Sequence, residues 1–187
     1  MSTRKSGRPL ARLGMTMSRP FLLIAATLTA GAATLEYLTL EQMAQKSTAI
    51  VRGRVTGATT ARQGSMVYTM MQVEVLDRWK GLVPGVVNVA IPGGEAAGIR
   101  QTFPGAPKLV EDREYVFFLW AGKSGMNQVI GLSQGLFEVQ REGDSVFVFR
   151  GASSETILDS AGRPLRDESI RMPLADLKAL VRKSVGP

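Results

Sequence analysis

Between residues 49 and 75 the chain alternates with a period of two, and no proline interrupts the run. Val51, Gly53, Val55 and Gly57 fall on one side of an extended backbone, and Arg52, Arg54 and Thr56 fall on the other. A helix needs a period of 3.6, so this stretch is committed to a half-buried sheet. The polar tip Arg62-Gln63-Gly64-Ser65 breaks the run and turns it into residues 66–80. There Val67, Thr69, Met71, Val73 and Val75 alternate with Tyr68, Gln72 and Glu74. The pair reads as one long antiparallel hairpin.

Alternation slips at Leu76, because Leu76 and Trp79 cannot both continue the face begun by Val75. An extra residue at that point is a β-bulge, which bends a strand and helps a sheet close into a barrel. A Pro-Gly turn at residues 81–85 precedes a third strand carrying Val87, Val89 and Ile91. Residues 114–121 (EYVFFLWA) are apolar on both faces, as a central strand requires. Residues 122–125 turn the chain back into a strand at 127–130, and a second hairpin joins residues 136–141 to 145–150 around Glu142-Gly143-Asp144. The barrel core is therefore expected over residues 49–150. Residues 92–107 form the longest irregular stretch inside it, and residues 153–171 are polar with only a turn signal at Ser160-Ala161-Gly162.

Two helices frame the strands. Thr39 and Gln42 have the spacing of a capping box, so a short helix is predicted through about Lys46, burying Leu40, Met43 and Ala44. Leu174, Leu177, Leu180 and Val181 recur at helical spacing, which predicts an amphipathic helix over 173–184 with Pro173 in its first turn. Asp176 near its start and Lys178, Arg182 and Lys183 near its end suit the helix dipole.

The N-terminus follows another grammar. Arg4, Lys5, Arg8, Arg12 and Arg19 precede the apolar run FLLIAATLTAGAA at residues 21–33, and no acidic residue comes before Glu36. Positive region, short apolar core and small residues describe a signal peptide over residues 1–33. Thirteen residues fall short of the ~20 that a helix needs to cross a bilayer. Removal at Ala33 or Thr34 leaves a single mature domain, residues 34–187, with no stable membrane insertion. Without the five leader residues, 18 basic residues face 16 acidic ones. The formal charge of +7 thus belongs mainly to the leader, which argues against nucleic acid as a partner.

The order of helix, bent hairpin ending in Arg78-Trp79-Lys80-Gly81, short strand, long loop, central apolar strand and closing hairpin resembles the netrin-like module. That module is the OB-fold barrel of tissue inhibitors of metalloproteinases. Residues 47–55, 68–81 and 114–119 carry the resemblance, over about residues 38–150. Together with Gly131-Leu132-Ser133-Gln134-Gly135-Leu136-Phe137 they also resemble a group of exported bacterial proteins of unassigned function. The resemblance implies a mainly β chain: an OB-like closed antiparallel β-barrel with a short N-terminal helix and a C-terminal amphipathic helix. The inhibitors place an N-terminal cysteine on the protease zinc and staple their fold with disulfides. This chain has no cysteine, so neither feature carries over.

Histidine is absent as well. No Ser-His-Asp triad, cysteine nucleophile or histidine-bearing zinc site can be assembled, and beyond the leader no S-x-x-K occurs. Gly131-Leu132-Ser133-Gln134-Gly135 matches G-x-S-x-G in letters, yet it lies between two predicted strands rather than at a strand-to-helix turn. Glu111-Asp112 and Glu142/Asp144 read as solvated turn residues, and neither supplies a calcium loop. Tyr68, Trp79, Phe118 and Trp120 are assigned to core packing rather than to a stacking platform for single strands.

What remains is recognition. Arg100, Gln101 and Phe103 are the larger side chains of the irregular stretch and the candidate partner-binding residues. The expectation is an exported, periplasmic or extracellular, non-enzymatic module that binds another exported protein, with no catalytic residue, metal or cofactor. Two alternatives stand beside it: an inhibitor or accessory protein of a secreted metalloprotease, and a carboxylate-dependent cell-wall hydrolase.

Overall fold

The computed structural model describes residues 34–122 and 124–186, so the expected signal peptide lies outside the described residues. The fold is mainly β. In chain order the elements are β1 (Thr34–Glu36), α1 (Leu40–Lys46), β2 (Ala49–Gln63), β3 (Met66–Lys80), β4 (Val86–Pro92), β5 (Gly94–Ala96) and β6 (Ile99–Gln101). Then follow β7 (Glu114–Ala121), β8 (Asn127–Val129), β9 (Leu136–Glu142), β10 (Ser145–Arg150), β11 (Thr156–Leu158), β12 (Pro164–Leu165), β13 (Ile170–Pro173) and α2 (Leu174–Val185).

The long hairpin forms where the alternation placed it, with Gln63 paired to Met66 across its turn. Its register shifts where the pattern slipped. Arg52 and Gly53 pair with Asp77 and Val75, which leaves Leu76 as the extra residue. A second shift leaves Trp79 extra between Arg78 and Lys80. Both bulges bend β3 at its base.

Eight strands make the main sheet in the order β13-β10-β9-β7-β2-β3-β4-β8, and β8 also pairs with β7. Pairing therefore runs from β7 through β2, β3, β4 and β8 back to β7. The return is uneven: β7 and β8 share three antiparallel pairs, but β4 meets β8 at the single parallel pair Val89 and Asn127. Strands β9, β10 and β13 extend the sheet outside this ring.

β7 separates two apolar layers. Tyr115, Phe117 and Leu119 face inward, packed with Val51, Val55, Val73, Val87 and Val89. Val116 and Phe118 face outward, packed with Met43, Ala44, Ile50, Phe137, Leu177 and Val181. α1 has its full capping box, in which Thr39 Oγ1 accepts from Gln42 N and Gln42 Oε1 accepts from Thr39 N. Its last turn is closed by Lys80, whose Nζ donates to the carbonyls of Ala44 and Gln45 at 2.7 and 2.8 Å. α2 buries Leu177 and Val181, and Lys178 Nζ reaches Asp77 at 2.5 Å.

Several expectations are corrected. Leu40 is half-buried on α1 but still packs against the outer layer with Met43 and Ala44, and Leu180 is half-buried on α2. Pro173 caps α2 from outside rather than sitting in its first turn. The irregular stretch contains the β5–β6 hairpin, turned by Ala97 and Gly98 with φ of 51° and 74°, the mirror geometry that suits two-residue hairpins. The polar segment after β10 supplies β11, β12 and β13. β11 pairs in parallel with β1 and antiparallel with β12, so residues far apart in sequence form a small third sheet. These strands are too short and polar for alternation to reveal them.

Candidate binding cleft

The three residues singled out in the sequence do not converge. Arg100 sits on β6 with both Nε and Nη2 on Glu95 Oε2, at 2.9 and 2.7 Å. Both partners are largely exposed, so the pair contributes little to stability. Gln101 turns away from solvent: its Oε1 accepts from Val67 N at 2.7 Å and its Nε2 donates to Ser65 O at 2.8 Å. It fastens the β5–β6 hairpin to the tip of the long hairpin. Phe103 alone presents an open apolar surface, 39% exposed.

Phe103 stands on a cleft of about 520 Å³ between residues 102–108 and 149–154, with Tyr115, Ser133, Leu136 and Glu138 completing its lining. The first wall is held in place from both ends. Gly105 has φ of 73°, and a side chain there would meet Glu155 Cγ at 2.5 Å and Leu132 Cδ2 at 2.9 Å. Only glycine fits that approach. Beyond the cleft, Val110 N donates to the Tyr115 hydroxyl at 3.1 Å, and Asp112 N donates to Val55 O at 2.9 Å.

The second wall is anchored by a buried ion pair. Arg150 Nη2 lies 2.7 Å from Asp167 Oδ1, and the two side chains are 5% and 3% exposed. The same Nη2 donates to Glu168 O at 3.0 Å, and Asp167 Oδ2 accepts from Ser153 N at 2.7 Å. Arg150 Nε is buried without an acceptor. An orphan of this kind costs about 1–3 kcal/mol. Neither Arg150 nor Asp167 drew notice in the sequence, since nothing in a polar segment reveals which charge is buried.

Gln134 was also missed. It is 1% exposed, accepts from Leu38 N at 3.0 Å and donates to Glu36 O at 2.8 Å. Its amide imitates a peptide group and holds the strand that opens the described chain. The excursion that presents it leaves the β7 ladder at Ile130 and returns at Gly135, since Ile130 N donates to Phe118 O and Phe118 N donates to Gly135 O. Gly131 and Leu132 turn it with φ of 61° and 64°. The G-x-S-x-G letters therefore spell a clamp between two strands, with no helix behind Ser133. The signal available was a glutamine bracketed by glycines in a strand context.

Trp120 corrects the packing expectation for the aromatics. Phe118 is fully buried and Trp79 packs at the edge of the outer layer, but Trp120 is 47% exposed. It follows Val116 and Phe118 on the same face of β7 and lines clefts of about 210 and 440 Å³.

Of the carboxylates noted in the sequence, Glu111, Asp112 and Asp144 are exposed turn residues, whereas Glu142 is the exposed last residue of β9 and is bound to Arg171 at 2.6 Å. Burial pushes the Glu114 carboxyl up, but hydrogen bonds from Arg54 and Arg141 and the nearby Arg52 charge outweigh it and hold it below the ordinary glutamate value. Burial likewise pushes Asp77 up, and Lys178 and Trp79 bring it below the ordinary aspartate value. Both are the anchors of ion pairs rather than poised acids. Among the described residues no group of three or more acidic side chains is gathered as a metal site, and no helix is long and apolar enough to cross a membrane. Comparison with known protein families, curated proteins and solved structures gives no match for this chain.

Proposed function

We propose that this chain is an exported, non-enzymatic binding module built on an OB-like barrel of the netrin-like kind, which engages another exported protein through the cleft between residues 102–108 and 149–154. The observation that carries the reading is Phe103, an exposed ring at a cleft whose two walls are fixed by Gly105 packing and by the Arg150–Asp167 pair. Fixed walls with an exposed aromatic reduce the ordering cost of binding.

Ring order supports the barrel. Numbering only β2, β3, β4, β7 and β8, the neighbours run first, second, third, fifth, fourth, and the third and fifth meet in parallel. That is the connectivity of a five-stranded, partly open Greek-key barrel. Export rests on the leader pattern, and the mature N-terminus determined by mass spectrometry should be Ala33 or Thr34. An intact Met-initiated chain in every fraction would remove the exported reading.

Affinity capture tests the cleft. The purified protein and its Phe103→Ser variant are each offered the secreted and periplasmic fractions. A partner retained by the first and lost by the second is expected; identical capture by both would discard the cleft.

A further inference from the structure

On one side, β2 runs on past its neighbour. β7 pairs with it only from Ala49 to Arg54, and Val55 is the last residue bonded on that side, its N donating to Arg113 O and its O accepting from Asp112 N. From Gly57 to Gln63 the strand has only β3 beside it. Which of its main-chain groups are free follows from Val67, whose N donates to Gln101 Oε1 and whose O accepts from Gly93 N, both away from β2. Arg62, opposite Val67, therefore shares no main-chain bond with it, and alternation gives the same result for Thr60 opposite Thr69 and Ala58 opposite Met71. The N–H and C=O of Ala58, Thr60 and Arg62 point outward, and among the described residues no strand, loop or side chain bonds to them. Residues 58–63 are all exposed. Other sheet borders are blunted in ways that prevent edge-to-edge pairing: β12 is two residues and β13 four, each holding a proline, and β1 is three, with Glu36 O accepting from Gln134. The free run of β2 has no proline, no charged residue stands between Arg54 and Arg62, and the bulge at Thr56 lies at its root.

We propose that residues 58–62 pair antiparallel with the same residues of a second copy of this chain, about a two-fold axis at Thr60, so that the β2–β3 sheets of the two molecules become continuous. Outward N–H and C=O groups in alternating order are matched by another extended main chain in register, and this segment matches itself. With Thr60 on the axis, outward residues meet outward residues: Thr60 faces its own copy and Ala58 faces Arg62, so the longest side chain of the segment lies opposite the smallest. The two Arg62 side chains then start four residues apart, about 13 Å, beyond the screening length of about 8 Å at physiological salt. Arg62 Nε is already bonded to Gly64 O at 2.8 Å within its own turn. Pairing over so few residues makes a small interface, so the dimer is reversible and depends on concentration.

Sedimentation velocity of the purified protein should show a monomer–dimer equilibrium below about 1 mM, the weak end of specific association. Thr60→Pro removes an N–H that β3 does not use, a change an edge strand tolerates, and should weaken dimerisation about tenfold or more because each copy loses a donor. Circular dichroism checks that the variant keeps its fold. Since the chain has no cysteine, single cysteines report the register independently. Thr60→Cys places the two copies' Cα atoms about 5.5 Å apart, within disulfide reach, and should cross-link on mild oxidation. Ser65→Cys, exposed at the hairpin tip, should not, since the two tips lie roughly 30 Å apart. A monomer throughout this range, a dimer indifferent to Thr60→Pro, or no cross-link at Thr60→Cys would overturn the proposal, and so would equal cross-linking at Ser65→Cys. A monomer whose β2 edge is instead protected from amide exchange by a foreign strand would overturn it as well.

Discussion

The two faces of β7 bury aromatic side chains equally well and are built in different ways. Inside the ring, Tyr115, Phe117 and Leu119 meet residues from neighbouring strands, and every fully buried partner is apolar. Outside it, Val116 and Phe118 are covered by α1 and α2, which come from opposite ends of the described chain. Strand pairing brings most of the inner layer together, and the loop residues Val83, Ala106 and Leu109 complete it. The outer layer needs separate fastenings: Lys80 on the end of α1, Lys178 and Asp77 between α2 and β3, and Gln134 on the segment before α1. The inner face is thus held mainly by packing, with the bond from Val110 N to the Tyr115 hydroxyl as its polar fastening, and the outer face by packing plus several such clasps.

That contrast can be broken by mutation. Phe117→Ala removes a fully buried inner ring and should cost about 3–5 kcal/mol, unfolding the whole molecule in one transition. Leu177→Ala, on α2, should cost about 2–5 kcal/mol and raise amide exchange first in α2 and α1 while β2, β3 and β7 stay protected. Uniform loss of protection in the second variant would show that the layers are one cooperative unit.

Gln134→Ala leaves the Leu38 amide and the Glu36 carbonyl without their partner and should cost about 1–3 kcal/mol. Exchange at residues 36–38 should rise well before that of α2. If it does not, the clamp is redundant with β11, which pairs with the same strand.

Acid should sharpen the comparison further. Glu114 and Asp77 both titrate below their ordinary values, so their contribution is complete above the unfolded-state values near 4.5 and 3.8 and is lost as pH falls through the folded ones. Denaturation midpoints should therefore drop below about pH 4.5, and less steeply in Glu114→Gln. Parallel curves would exclude Glu114 as the source. The smallest effect belongs to Trp120→Ser, expected at about 1 kcal/mol or less because the ring is 47% exposed. A larger loss would place Trp120 within the outer layer.

Much of this architecture was legible before any coordinates. Period-two alternation announced β2, β3 and β4, the slip at Leu76 announced a bulge, and EYVFFLWA announced a strand covered on both sides. The candidate site was legible only in part. Of the three larger side chains of the irregular stretch, Phe103 is 39% exposed on the cleft, Gln101 is a fastening and Arg100 belongs to a surface pair. Both are polar residues in a glycine-rich stretch, and their roles depend on Val67, Ser65 and Glu95 lying nearby.

Sequence alone determined where the long strands β2, β3, β4 and β7 and the two helices run, and that histidine and cysteine chemistry is closed to the chain, because these follow from local periodicity and from composition. Tertiary structure alone decided that Arg150 would be buried against Asp167, that Gln134 would stand in for a peptide group, and that Trp120 would be left uncovered. The first two of those outcomes depend on a partner between 17 and 98 residues away. No window of neighbouring residues carries that information, since a polar side chain looks the same in sequence whether water or a distant main-chain group completes it.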